Sequence, residues 1–169
     1  MTFRTLVMLL VMSIGLLLSF NHRFGYHLSR WFPRQEWCLM LKRIEVVAAV
    51  IVRQGKVLAT ERGYGDYEGW WEFPGGKVEE GESPEQALAR EIHEELNTTI
   101  EVGDYLCTAE YDYPAFHLSM RCYISRLVDE NFELLEHHAA RWLSASELDD
   151  VHWLPADLQV VEAIRTAGL

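Results

Sequence analysis

The stretch GKVEEGESPEQALAREIHEELN, residues 76–97, decides the fold of this chain, because it joins a glycine turn and an acidic loop to one amphipathic helix. Ser83, Pro84 and Gln86 form a helix start signal: Ser is a preferred cap, Pro fits the first helical position, and Gln completes a capping box. Asn97 is expected to end the helix in the left-handed conformation. The sequence therefore predicts a short capped helix.

Three glutamates lie on one edge of this predicted helix, beside its apolar stripe. The stripe is marked by apolar residues that recur at every fourth position: Leu88, Ile92 and Leu96. Glu91, Glu94 and Glu95 are spaced i, i+3, i+4, so their carboxylates are neighbours that repel one another. The edge is either a solvated acidic face or a site for a hard divalent cation such as Mg²⁺ or Mn²⁺, which prefers oxygen ligands.

The same stretch resembles the signature of the Nudix hydrolases, G-x5-E-x7-R-E-U-x-E-E-x-G-U, in which U is a bulky apolar residue. The matching positions are Gly76, Glu82, Arg90, Glu91, Ile92, Glu94 and Glu95. Asn97 replaces the family glycine and Thr98 replaces the last apolar residue, but Asn tolerates the left-handed conformation and neither change removes a charge. The resemblance implies an α/β fold, a Nudix-type α/β/α sandwich with a mixed β-sheet.

The resemblance also implies an activity, the hydrolysis of a nucleoside diphosphate linked to another group, with Mg²⁺ or Mn²⁺ as cofactor. It makes Glu91, Glu94 and Glu95 the metal ligands and adds the backbone carbonyl of Gly75. Arg90 is expected to hold the row of glutamates in position, and we group it with the catalytic residues.

Outside the signature, the resemblance is closest to MutT-like enzymes, which cleave (deoxy)nucleoside triphosphates to monophosphate and pyrophosphate. It implies a further metal ligand or base at Glu136, a phosphate contact at Arg62, a base-packing ring at Phe73 and a base-reading carboxyl at Asp157. Lys77 can supply positive charge beside the glutamates and is placed with the substrate-binding residues. Less specific roles remain open: Glu136 as a solvated loop acid and Arg62 as a surface charge.

Asp157 bears on the choice of substrate. An ionised Asp only accepts hydrogen bonds and would favour the amine of cytosine or adenine, whereas a protonated Asp could donate and read an oxidised guanine. Both 8-oxo-dGTP-like and cytidine triphosphates are therefore candidates, and nucleotide-pool sanitation is the implied role. Asp157 could equally be a helix N-cap without a role in binding.

Rival functions remain open. Pro114 lies near a proline typical of ADP-ribose hydrolases, and a non-catalytic nucleotide-binding module is a further alternative. The intact charged positions of the signature argue against the module. His137 and His138 are interpreted as surface residues, because no third metal ligand is near them in the sequence. Three tryptophans are interpreted as packing rather than base-stacking residues: Trp70, Trp71 and Trp153.

Composition limits the partners. The chain has 169 residues and a net charge of −11, which suits one domain with a sizeable core and argues against a nucleic-acid polymer as partner. Three cysteines follow no metal or redox spacing, which suits a reducing compartment and a cytoplasmic location. They are Cys38, Cys107 and Cys122. A nucleoside triphosphate remains a suitable substrate if it arrives with metal ions.

Residues 1–41 differ in composition from residues 42–169, which are assigned to the hydrolase domain. An apolar run over residues 6–20 is short for a membrane span of about 20 residues, and arginines follow it. By the positive-inside rule these arginines would hold the domain in the cytosol. The segment is either a membrane anchor or a translated region upstream of a start at Met40.

Alternating and β-branched segments predict the remaining elements. Strands are expected at residues 44–52, 57–60, 70–73, 100–110, 116–127 and 140–143, with a turn at 74–76 and a loop at 62–69. Ser144 with Glu147 predicts a second capping box, and residues 158–167 predict a closing helix. The strand at residues 116–127 alternates apolar and polar side chains, which is typical of a strand with one buried face.

Overall fold

β-Strands contribute more residues than helices do to the computed structural model, which describes residues 41–129 and 131–169. The strands are β1 Lys42–Arg53, β2 Lys56–Arg62, β3 Trp71–Glu72, β4 Gly75–Lys77, β5 Ile100–Tyr113, β6 Phe116–Leu127 and β7 His137–Ser144; the helices are α1 Pro84–Leu96 and α2 Asp157–Ala167, and a 3₁₀ turn spans Leu148–Asp150. Residues Lys42–Leu169 form one compact unit.

The two interpretations of the N-terminal segment, a membrane anchor or a translated upstream region, fall on residues outside the described part of the chain. Within residues 41–129 and 131–169, no helix combines the length and the apolar character that a membrane span requires. The domain boundary at residue 42 stays a prediction.

The sheet is mixed. Its order is β3-β2-β1-β6-β5, with β4 beside β1 and β7 beside β2. Strands β1 and β6 are parallel from Lys42 opposite Phe116 to Ile51 opposite Ser125, whereas the other pairs are antiparallel. The tight turn between β1 and β2 has two residues with positive φ, Gln54 and Gly55, as hairpin turns of this length require.

Two apolar layers cover the two faces of the sheet. One layer contains Ala48 and Val50 of β1 together with residues of α2: Val160, Val161 and Ile164. The other contains Val47, Ala49 and Ile51 of β1 together with residues of α1: Ala87, Leu88, Ile92 and Leu96. Because alternate residues of β1 enter opposite layers, the central strand is buried on both faces. The predicted α/β/α sandwich is confirmed.

Helix α1 begins and ends as its sequence predicts. The hydroxyl of Ser83 accepts the N–H of Gln86 at 3.2 Å, and the Gln86 side chain accepts the N–H of Ser83 at 2.9 Å. Asn97 ends the helix with φ +46°, and its N–H donates to the carbonyl of His93. These local bonds fix the helix register and hence the direction of its acidic edge.

The predicted turn at residues 74–76 was wrong. Residues Gly75–Lys77 form strand β4, antiparallel to β1, with Gly75 opposite Ala48. A Cβ atom at Gly75 would overlap the carbonyl oxygen of Val47. The glycines therefore allow close approach between two backbones, which the sequence pattern alone does not distinguish from a turn.

The predicted capping box at Ser144 and Glu147 does not start an α-helix. The Glu147 carboxylate accepts the N–H of Ser144 at 2.9 Å, but the Ser144 hydroxyl donates to the same carboxylate at 2.6 Å and caps nothing. The chain continues into the 3₁₀ turn Leu148–Asp150. Only half of the reciprocal pair forms, and it closes a turn.

The bounds of β6 agree with the prediction, but its predicted polar face is largely buried. Ser119, Tyr123 and Ser125 are buried because β6 lies between β1 and β5 and is covered on both sides. Alternation of residue type therefore predicted the strand correctly and its environment wrongly. Strand β5 extends three residues beyond its predicted end, to Tyr113.

Replacing Ser83 with Ala is expected to lower the free energy of unfolding by about 1 kcal/mol, because the N–H of Gln86 loses its acceptor. Urea unfolding followed by circular dichroism measures the change. Ser146→Ala, at an exposed serine outside any helix, is the control. Equal stabilities of the two variants would contradict the capping role.

Candidate active site

Strand β4 lies directly against the acidic edge of α1. A Cβ atom at Gly76 would overlap the carboxylate of Glu91. The N–H of Gly75 donates to the carboxylate of Glu95 at 3.0 Å. The two glycines of β4 thus let two glutamates of α1 approach the backbone of the strand.

Glu95 is the most buried carboxylate of this edge. Burial, together with the nearby Glu72, Glu91 and Glu136, raises its pKa to about 9, against the lowering effect of the Gly75 N–H. A carboxyl group crowded by other acids in a poorly solvated place holds its proton. An additional positive charge would therefore stabilise the ionised carboxylates of this site.

A small open pocket lies beside Glu95. Its lining is polar and consists of Arg62, Gly63, Tyr64, Glu72, Glu95, Glu136 and His137. Arg62 Nη1 donates to Glu72 Oε2 at 2.8 Å, and the Tyr64 hydroxyl donates to Glu136 Oε2 at 2.5 Å. The pocket thus contains one guanidinium and three carboxylates.

Arg90 holds the start of the acidic edge. Its guanidinium binds both oxygens of Glu82, at 2.7 and 2.9 Å, and also donates to Glu91 at 2.9 Å and to Glu94 at 3.3 Å. Arg90 also donates to the backbone carbonyl of Lys77 at 3.1 Å. Hydrogen bonds from Arg90 lower the pKa of Glu82 to about 2. These contacts are the ones expected of a positioning residue.

The three glutamates share one edge but do not converge. Glu95 turns into the pocket, Glu91 lies against Gly76, and the Glu94 side chain is 55% exposed. In the part of the chain that the structure describes, no three carboxylate, imidazole or thiol groups are arranged to hold a metal ion. Their crowding is thus weaker than the spacing alone suggested.

The chemistry of this donor set nevertheless suits a hard divalent cation. Glu91, Glu95 and Glu136 offer carboxylate oxygens, and burial of like charges around Glu95 is relieved by a cation. Gly75 could add its carbonyl, and Glu94, which is exposed and bonded to Arg90, lies on the same edge. Oxygen-only ligands favour Mg²⁺ or Mn²⁺ over softer metals.

Asp157 lies on the other side of the sheet and is 3% exposed. Its carboxyl oxygen Oδ1 accepts the N–H of Phe73 at 2.9 Å, and burial raises the pKa of Asp157 to about 8. Helix α2 has Ala156 at its cap position and no side-chain cap bond. The N-cap alternative for Asp157 is therefore wrong.

The remaining predicted substrate residues are placed differently from one another. Phe73 is 3% exposed, and its ring stacks on Trp153 with 4.6 Å between centroids, so the ring is part of the core. Lys77 is exposed next to the acidic edge. Trp70 packs on His152 with 3.7 Å between ring centroids, in agreement with a packing role.

Two residues of the pocket were missed or misjudged from sequence. Glu72 was not singled out, although a charged residue between Trp71 and Phe73 in an apolar segment is an unusual feature. His137 was interpreted as a surface residue, but its side chain is 3% exposed and its Nε2 lies 3.4 Å from Glu72 Oε1. Strand β7 begins at His137, three residues before its predicted start, and so carries the imidazole inward.

Comparison with known proteins gives a family and several relatives. A family profile described as the NUDIX domain matches residues 41–163. The CTP pyrophosphohydrolase of Escherichia coli K12 is 38% identical over 124 residues, 73% of this chain and 92% of the relative. The putative 8-oxo-dGTP diphosphatase 2 of Mycobacterium tuberculosis CDC 1551 is 41% identical over 122 residues, 70% of this chain and 84% of the relative. The solved MutT structure from methicillin-resistant Staphylococcus aureus 252 has a TM-score of 0.62 at 39% identity and covers 76% of this chain and 99% of that chain.

The raised pKa of Asp157 predicts a dependence of stability on pH. The folded protein keeps this proton up to about pH 8, whereas an unfolded Asp releases it near its ordinary pKa of about 4. Because the folded state binds more protons in that interval, the free energy of unfolding is expected to fall as pH rises through it.

Asp157→Asn is expected to reduce this slope by the contribution of one proton between about pH 5 and about pH 8, since the amide does not titrate, while the contribution of Glu95 remains. Urea unfolding without added divalent cations measures it. The exposed Asp104→Asn serves as matched control and should keep the wild-type slope. An Asp157→Asn variant with the unchanged slope would show that the carboxyl is ionised in the folded protein.

Proposed function

The chain belongs to the Nudix hydrolase family, and from that premise we propose that it hydrolyses (deoxy)nucleoside triphosphates to monophosphate and pyrophosphate with Mg²⁺ as cofactor. The observation that carries the proposal is the pocket at the end of α1, in which Arg62 lies among Glu72, Glu95 and Glu136. A phosphate chain and divalent cations together match this mixture of one guanidinium and several acids.

We assign the cation to Glu91, Glu94, Glu95 and Glu136, with the Gly75 carbonyl as a backbone ligand. When bound there, Mg²⁺ supplies neutralisation of the phosphate oxygens and lowers the pKa of a coordinated water. Mn²⁺ has the same ligand preference and could replace it. Glu95 must release its proton to serve as a ligand, which couples binding of the cation to proton release.

The residues around this assignment have distinct tasks. Arg62 binds a phosphate oxygen through the part of its guanidinium that Glu72 does not occupy. Arg90 fixes Glu91 and Glu94, and its pairing with Glu82 anchors it to the preceding loop. Tyr64 holds Glu136 at the mouth of the pocket. These ion pairs and hydrogen bonds thus fix the side chains around the place where water would be activated and the leaving group neutralised.

For the base, we propose two candidate substrate classes: oxidised purine nucleotides such as 8-oxo-dGTP, and cytidine triphosphates such as CTP. Relatives with these two names share about equal identity with this chain. Asp157, which holds a proton up to about pH 8, can both donate and accept a hydrogen bond, a pairing that fits the N3 and N4 edge of cytosine and the O6 and N1 edge of guanine bases. Phe73 contributes through its backbone N–H, which orients Asp157.

A panel of triphosphates tests the function. Common and oxidised nucleoside triphosphates, with ADP-ribose as a diphosphate comparison, are incubated with the protein and Mg²⁺, and pyrophosphate and monophosphate are measured. We expect turnover of at least one triphosphate with release of pyrophosphate, and the highest kcat/KM for CTP or 8-oxo-dGTP. Binding without turnover for every nucleotide would instead identify a non-catalytic module.

Glu94→Gln tests the assignment of the acidic edge. Glu94 is exposed and not part of the core, so the variant is expected to fold normally while kcat falls by orders of magnitude, because a ligand charge is lost. Thermal unfolding checks the fold. Glu162→Gln on the exposed face of α2 is the control and should keep full activity. Activity retained by Glu94→Gln would remove this residue from the metal site.

A further inference from the structure

Glu72 lies between two cationic or hydrogen-bonding side chains in the pocket. Its Oε2 accepts Arg62 Nη1 at 2.8 Å, and its Oε1 lies 3.4 Å from His137 Nε2. The Glu72 side chain is 15% exposed, so these contacts are poorly screened by solvent. The carboxylate thus links the guanidinium to the imidazole.

His137 owes its inward position to an irregularity of strand β7. His137 is the backbone partner of Arg62, and Ala139 is the partner of Glu61, so His138 is an extra residue in the ladder. Such a bulge re-aims a side chain, and bulges are common next to active sites. His137 is buried as a result, whereas its neighbour His138 is exposed.

Arg62 and His137, which both contact Glu72, each have one buried side-chain nitrogen without a hydrogen-bond partner. In residues 41–129 and 131–169, the buried side-chain nitrogen or oxygen atoms without a hydrogen-bond partner are Arg62 Nε and His137 Nδ1. A buried polar atom without a partner destabilises the fold, so its presence beside a pocket needs a compensating role. A phosphate oxygen in the pocket would supply the acceptor that Arg62 Nε lacks.

Arg62 has competing partners, because Glu95 and Glu136 line the same pocket. Pairing with either of them would draw the guanidinium onto groups assigned to the cation. The bond to Glu72 holds Nη1 away from that choice and leaves Nε available. The position of Glu72 therefore decides which edge of Arg62 a phosphate meets.

We propose that His137 is a positioning residue that holds Glu72 and thereby orients Arg62 for a phosphate group. The inference rests on the proposed function, since it deepens the role of the same pocket. It concerns ground-state binding of the phosphate chain, so loss of His137 should raise KM more than it lowers kcat. A residue that only filled space would have no such selective effect.

Four variants test the proposal. His137→Leu removes both ring nitrogens, His137→Gln keeps an amide donor near the place of Nε2, and His138→Leu repeats the first change at the exposed neighbour. Glu72→Gln keeps the shape of the side chain and removes its charge. Binding of inorganic triphosphate in the presence of Mg²⁺ is measured by calorimetry, a readout that needs neither a base nor turnover.

We expect His137→Leu to weaken triphosphate binding about 10-fold, because the polar contact that holds Glu72 is lost, and His137→Gln and His138→Leu to bind as the wild type does. With a hydrolysed nucleotide, His137→Leu should show the same rise in KM at nearly constant kcat. Binding by His137→Leu that equals binding by His138→Leu would overturn the proposal. Weak binding by His137→Gln would also overturn it, since packing alone would then explain the loss.

Glu72→Gln decides the matter even if His137→Leu does not fold. Removing a negative charge would by itself strengthen binding of an anion, so weaker binding is the signature of a lost orientation of Arg62. Unchanged or tighter binding by Glu72→Gln would overturn the proposal. If the wild type binds triphosphate in this manner but hydrolyses no nucleotide, the proposed function fails and the positioning role stands.

Discussion

The contact between the glycines of β4 and the acidic edge of α1 is the constraint on which the site depends. Gly75 has no side chain and so lies flush against β1, while its N–H reaches Glu95 on the other side. Any Cβ at Gly76 would displace Glu91. Strand β4 thus lies between the backbone of β1 and the carboxylates of Glu91 and Glu95. Its close approach to α1 determines how deeply these two carboxylates are buried.

The burial of these carboxylates explains how a negatively charged protein could bind the proposed substrate, a triphosphate that is itself strongly negative. The net charge of −11 would repel a phosphate chain from most of the surface. In the pocket, however, the high pKa of Glu95 reduces the local charge, and Arg62 adds a guanidinium beside it. A divalent cation that replaced the proton on Glu95, as we propose, would add one further positive charge to the pocket and so favour a phosphate chain.

The local patterns of α1 predicted its structure correctly, although the local capping box at Ser144 did not start a helix. Predictions that depend on pairing between distant residues were less reliable. The capping box of α1, its left-handed end at Asn97 and the row of glutamates all follow from residues three or four apart. The direction of His137 depends on a bulge between β2 and β7, which pairs residues far apart in the sequence. Glycines 75 and 76 gave a turn signal because nothing local reveals the strand they lie against.

The burial of Asp157 likewise depends on residues far apart in the sequence. It also shows how the proposed phosphate contact and the proposed base contact are connected. Glu72 and Phe73 are adjacent, and successive residues of an extended chain face opposite sides. Glu72 accordingly meets Arg62 in the pocket beside α1, while the ring of Phe73 enters the apolar layer that packs against α2. The backbone N–H of Phe73 donates to Asp157 at the start of α2. Glu72 raises the pKa of both Glu95 and Asp157, so its charge acts on both sides. A short segment at the sheet edge therefore ties the proposed phosphate contact to the proposed base contact, and a shift of β3 would alter both at once.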